Sequence, residues 1–174
     1  GEGWSSERIS SRLRTAGLRV VCVEAIYGWA NAANPAAALE ASRESIEIAS
    51  AHGSPNLAAV VLEPELESME ATVANLAAVA DRAADVDVAI CVEFLPWSGI
   101  PDITTCWDLL RRTGRPNVGV LLDSWHWLRQ PGGPYGRHAD TLASMPGDAI
   151  RVFQLCDAGV EPWEDPMAEC LTAR

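Results

Sequence analysis

Five short apolar runs constrain what this chain can fold into. They cover residues 18–23, 57–62, 86–94, 118–122 and 150–155 and are rich in Val, Ile and Leu. Each is nearly continuous rather than alternating. A strand with one wet face alternates apolar and polar residues, whereas a parallel strand covered on both faces does not. The runs begin about 30 to 40 residues apart, roughly one βα unit. Helical patterns fill the gaps. Residues 5–16 carry Ile9 and Leu13 one turn apart and end at Gly17. Residues 35–51 begin with Pro35 behind Asn34 as an N-cap and stop before Gly53. Residues 65–84 are Ala-rich, with Leu66, Met69, Val73 and Leu76 as an inward stripe. Residues 101–112 place Asp102 near the start and Arg111 and Arg112 at the end, which suits the helix dipole. Shorter patterns cover 135–145 and 162–173. This alternation predicts an α/β fold with a parallel sheet.

A doubly wound sheet and a closed (β/α) barrel both satisfy that pattern. No strand is followed by a GxGxxG or GxxxxGK[ST] turn, so nucleotide-binding folds lose their usual support. Several strands end instead in metal-competent side chains, and active sites of (β/α) barrels lie at the C-terminal strand ends. The expectation is therefore a barrel, incomplete in this chain, because five strands do not close a ring of eight.

Composition narrows the chemistry. All 13 basic residues are Arg, and the net charge is -11. Such an acidic chain is poorly suited to nucleic acid or an anionic membrane surface. Without Lys it has no Schiff-base nucleophile of its own. Its five Cys show no short regular spacing, so neither a disulfide framework nor a zinc knuckle is expected. Cys22, Cys91 and Cys156 lie in apolar runs and read as reduced, buried thiols, consistent with the cytoplasm. No membrane span or signal peptide is read from the sequence. A homo-oligomer is among the expectations.

Three residues recur at the strand ends. Glu93 lies in Cys-Val-Glu-Phe-Leu-Pro-Trp at the end of the third run, Asp123 follows Leu-Leu, and Gln154 sits in Val-Phe-Gln-Leu-Cys-Asp. They are about one βα unit apart, which brings all three to the same end of a parallel sheet. A lone acid at a strand end is as readily a helix N-cap. Two carboxylates and an amide oxygen in register form a hard, oxygen-rich site for a divalent ion. His126, three residues past Asp123, is a candidate substrate contact or acid/base group, or else a packed loop imidazole. Trp97, Trp125 and Trp127 could wall a pocket or pack the core. Glu63, before Pro64, reads as a helix N-terminal acid, and Asp157 as a residue that holds the loop or supports a metal ligand. His52 and His138 read as solvated surface.

The succession Val-Glu-Phe-Leu-Pro, Leu-Leu-Asp-Ser-Trp-His and Phe-Gln-Leu-Cys-Asp-Ala resembles the xylose isomerase-like TIM barrel superfamily. The resemblance runs from the helix at Ser5 to about Asp165. It implies a single domain over 1–174 that carries about strands 3 to 7 of a (β/α)8 barrel and is truncated at both ends. In that group a Glu, an Asp, a His or Gln and a final Glu on the fifth to eighth strands hold the metal. Matched residue by residue, Glu93, Asp123 and Gln154 take the first three places, and the fourth has no counterpart here. His126 matches the substrate-contacting His. Gln154 stands where many epimerases have His, and looks more like the 3-dehydroshikimate dehydratase-type members.

The resemblance implies a divalent-metal cofactor (Mn²⁺, Mg²⁺, Co²⁺ or Zn²⁺) and a small sugar-like substrate. The leading expectation is an isomerase or epimerase acting through an enediolate. Glu93 would combine metal binding with proton transfer, and His126 would meet the developing oxyanion, with Trp97 against the substrate. The alternatives are a dehydratase of the 3-dehydroshikimate or inosose type, and a non-catalytic barrel remnant or binding protein. An endonuclease fits the acidic charge least.

Overall fold

A computed structural model describes residues 3–172. It contains one parallel sheet of five strands in the order β1-β2-β3-β4-β5. The strands are β1 (Val23–Ile26), β2 (Asn56–Val60), β3 (Ala89–Glu93), β4 (Val118–Asp123) and β5 (Ile150–Gln154). The helices are α1 (Ser6–Thr15), α2 (Pro35–Ala51), α3 (Met69–Ala84), α4 (Ile103–Thr113), α5 (Ser124–Arg129), α6 (Arg137–Ser144) and α7 (Pro166–Thr172). A parallel α/β sheet is thus as expected. The 162–173 expectation extends to Ala173, which lies outside the described residues.

Alternation along each strand sorts side chains to two faces. Leu57, Ala59, Ile90, Val92, Phe94, Val120 and Leu122 point to the large core shared with the helices. Ala58, Cys91 and Leu121 form a second cluster on the opposite face, with Cys22, Ala25 and Val152 packed against it. Residues from β1 and β5, the two edges of the sheet, therefore meet on this inner face. The sheet is curled.

Helix starts follow local chemistry. Ser5, Asn34, Ser68 and Asp102 each accept a hydrogen bond from a first-turn backbone N–H. Gly114 ends α4 at φ 65, where a side chain would be strained. Gly119 meets a different demand, because a Cβ there would lie 2.7 Å from Arg151 Cγ on the neighbouring strand.

Several boundaries differ from expectation. The first strand begins at Val23, at the end of the 18–23 run rather than along it. Residues 18–22 approach the sheet without ladder bonds, and Leu18 and Val21 are exposed. Helix α3 starts at Met69, four residues later than the 65–84 pattern, because Ser68 caps it. The preceding turn is held by Asn31, which donates to the Glu65 carbonyl at 2.9 Å and accepts from the Glu67 N–H at 3.0 Å. Glu63 is consequently not at a helix N-terminus. Helix α5, directly after β4, was not anticipated. His138 is a further correction. It is buried, with Nε2 3.0 Å from the Pro131 carbonyl and Nδ1 3.0 Å from Thr104 Oγ1, because α6 packs on α4. His52 is half-buried at 2.8 Å from Ser10 Oγ.

Candidate active site

Strand polarity delivers Glu93, Asp123 and Gln154 to the C-terminal edge of the sheet. Glu93 is the last residue of β3, two positions beyond Cys91 on the inner face. Asp123 stands in the same relation to Leu121 on β4, and Gln154 to Val152 on β5. Asp123 and Gln154 are register partners.

Asp123 has two roles. Its Oδ1 caps α5, accepting from the Trp125 N–H at 2.7 Å and the His126 N–H at 3.1 Å. Its Oδ2 lies 3.0 Å from Cys156 Sγ. The N-cap and the site residue are thus the same side chain. The cap also aims His126, since a rigid first turn puts the imidazole back over the strand end. Ser124 completes the arrangement. Its hydroxyl accepts from the Cys156 N–H at 2.8 Å and donates to the Cys156 carbonyl at 2.9 Å, tying the end of β5 to the start of α5. Cys156 is therefore not the inert strand thiol expected. It lies beyond β5, half-buried, against Asp123.

Glu93, Asp123 and His126 are all buried, and one ligating atom from each lies within 4.8 Å of the others. His126 Nε2 is 3.2 Å from Glu93 Oε1. Two electron-rich atoms would repel at that distance, so the proton belongs on Nε2. Nδ1 is buried without a hydrogen-bond partner among the described residues. A buried polar atom without a partner is costly. The imidazole packs edge-to-face on Trp97 at 5.7 Å and on Trp125 at 5.2 Å between ring centroids. Trp97 rides on a loop fixed by a close approach. The Gly99 N–H donates to the Glu63 carbonyl at 2.8 Å, and a Cβ at Gly99 would lie 2.7 Å from Leu66 N.

Gln154 is not part of the tight hydrogen-bonded group. Its Nε2 donates to Glu24 Oε1, on the far strand β1. Glu24 escaped the sequence reading because the first strand was placed too early. A signal was present: Cys22-Val23-Glu24 repeats Cys91-Val92-Glu93 letter for letter. Asp157 accepts from the adjacent Ala158 N–H at 2.8 Å, a loop role.

A family model described as xylose isomerase-like TIM barrel matches residues 3–165. The chain belongs to that family. Two curated relatives, the 3-dehydroshikimate dehydratases of Pseudomonas aeruginosa and Pseudomonas putida, are 36% identical over 85 residues and 30% identical over 87. Those stretches cover 48% and 49% of this chain but only 13% of each relative. Among solved structures, a xylose isomerase-like TIM barrel/4-hydroxyphenylpyruvate dioxygenase fusion protein superposes with TM-score 0.83 at 19% identity, covering 95% of this chain and 26% of its own. The IOLI protein with a binding zinc atom gives 0.78 at 20% identity, with 91% and 59% covered. A D-allulose 3-epimerase from Methylomonas sp. in complex with D-allulose gives 0.71 at 19% identity, with 88% and 57% covered. These likenesses support the fold. The chain spans less than two thirds of the length of each of these relatives. No helix among the described residues is long and apolar enough to cross a membrane.

Proposed function

We propose that this site abstracts a proton next to the carbonyl of a small polyhydroxy compound, and that the outcome is loss of water from a 3-dehydroshikimate-like substrate. The observation that carries the first step is the buried Glu93–His126 contact beside Asp123. The donor set suits a divalent cation: two buried carboxylates, Glu93 and Asp123, with the amide oxygen of Gln154 on the neighbouring strand. Glu93, Asp123 and Gln154 would hold the ion. When bound, it would supply Lewis-acid polarisation of the carbonyl.

The chain's own side chains account for the rest. Glu93 takes the proton from the carbon beside the carbonyl, which leaves an enediolate. His126 Nε2 carries a proton within reach of the same carboxylate, and it donates toward the developing oxyanion or the departing hydroxide. Trp97 and Trp125 exclude water from the imidazole, which strengthens each electrostatic contact.

Dehydration is favoured over the initially expected isomerisation by two observations. The curated relatives with the higher identity are dehydratases, and residue 154 is Gln rather than His. Both reactions share the enediolate and differ in whether a β-hydroxyl leaves or the proton returns. The test is incubation of the chain with Mn²⁺ and 3-dehydroshikimate in deuterated water. The expected result is an aromatic product seen by its absorbance. Deuterium incorporation without aromatic product assigns isomerisation or epimerisation instead. Neither signal, with Mn²⁺ bound, overturns the proton-abstraction reading.

A further inference from the structure

All five strands pair side by side in the order β1 to β5, yet Glu24 on β1 reaches Gln154 on β5. The contact crosses the inner face rather than running along the sheet. Its chemistry is directional. A carboxylate oxygen only accepts, so the Gln154 group facing Glu24 is the NH₂. The two ends of an amide point apart, and the amide oxygen is therefore turned away from Glu24. Left to itself, a half-buried Gln samples both flips, and only one of them offers oxygen.

The geometry points to Glu24 as a positioning residue, which holds Gln154 in the flip that offers Oε1 to a cation or to a substrate hydroxyl. Glu24 itself falls outside the tight Glu93–Asp123–His126 group, so it acts through Gln154 rather than as a ligand. Partners of this kind orient ligands in metal sites and typically change affinity by about 10- to 100-fold when removed. The inference rests on the metal reading of the site, and the experiment separates the two.

The decisive experiment has two readouts on the full chain. The first is the ¹⁵N-labelled side-chain amide of Gln154, observed by NMR without metal. In the wild type one amide proton is expected downfield and slow to exchange, and Glu24→Ala is expected to return it to the position of a solvated amide. A solvated signal in the wild type overturns the proposal whatever the metal does. The second readout is Mn²⁺ titration by calorimetry. Glu24→Ala is expected to weaken binding about tenfold, and Glu24→Gln, which still offers an accepting oxygen, to restore it. Glu24→Arg is expected to lose more than Glu24→Ala, because a donor at this place turns the amide over. In a Gln154→Ala background Glu24→Ala is expected to cost nothing further. An equal loss in both backgrounds overturns the positioning role in favour of direct binding or general charge. A wild-type chain that binds no Mn²⁺ overturns the metal reading, while the amide signal still decides the contact.

Discussion

The tripeptide Cys-Val-Glu occurs twice, and its two copies meet different fates. In β3, Cys91, Val92 and Glu93 are all buried, between β2 and β4 and beneath the loop that carries Trp97. In β1, Cys22 and Val23 are half-buried and Glu24 is exposed, because β1 has a strand on one side only. Burial pushes the Cys91 thiol up to about 12 and the Cys22 thiol up to about 11. Identical letters thus produce a buried carboxylate against an imidazole in one place and an exposed carboxylate against an amide in the other. Neighbours, not local sequence, decide which Glu can do chemistry.

The largest effect that would sharpen this contrast is loss of metal. Glu93→Ala is expected to reduce Mn²⁺ binding by more than about a hundredfold, beyond what removing a supporting contact does. Calorimetry checks it, and a loss equal to that of Glu24→Ala would erase the distinction between the two copies. Asp123→Ala should lose the metal too. It should also cost about 1 kcal/mol of stability, because it uncaps α5.

The second expected effect concerns the segment beyond β5, where Arg129 and Glu169 form a buried ion pair. Arg129 meets Glu169 at 2.7 Å, and both side chains are almost fully buried. The Arg129 guanidinium also donates to the Gly159 carbonyl, and Glu169 accepts from the Trp163 N–H. Removing one partner strands a buried charge, so Arg129→Ala is expected to cost about 3 kcal/mol in urea unfolding. The same pair has a pH signature. Arg129 holds the Glu169 carboxyl below its ordinary value of 4.5. Its contribution is therefore complete above that value and is lost as pH falls through the lower, folded one. Glu169→Gln should flatten the acid limb of the stability curve in that window.

Smaller effects separate the two thiols. Cys91→Ser places a hydroxyl in an apolar cluster and is expected to cost about 1 to 2 kcal/mol, while Cys22→Ser should stay within about 0.5 kcal/mol. Thermal unfolding of the pair checks both values. Smallest of all is a difference in rate: in alkylation of the native chain, Cys22 should react before Cys91. Equal costs or equal rates would show that the edge and centre of the sheet are alike, and would break the comparison.

Most of the architecture was legible. Continuous apolar runs at βα spacing favour parallel strands covered by helices, and the start of α2 was marked by Asn34. The register of Glu93, Asp123 and Gln154 followed from spacing, because each βα unit returns the chain to the same end of the sheet. What stayed hidden were features with no local pattern. Helix α5 is only six residues long, too short for an apolar stripe to reveal. His138 looked solvated because its burial depends on α4, far away in sequence.

The sequence by itself determined the fold class and which end of the sheet carries polar side chains, since periodicity and spacing are properties of a single chain segment. Only the tertiary structure decided that Glu93 of β3 is buried beside His126 while Glu24 of β1 crosses the inner face to Gln154. The physical reason is curl: which strand ends meet across a sheet depends on how all the intervening strands pack, and no one of them encodes it.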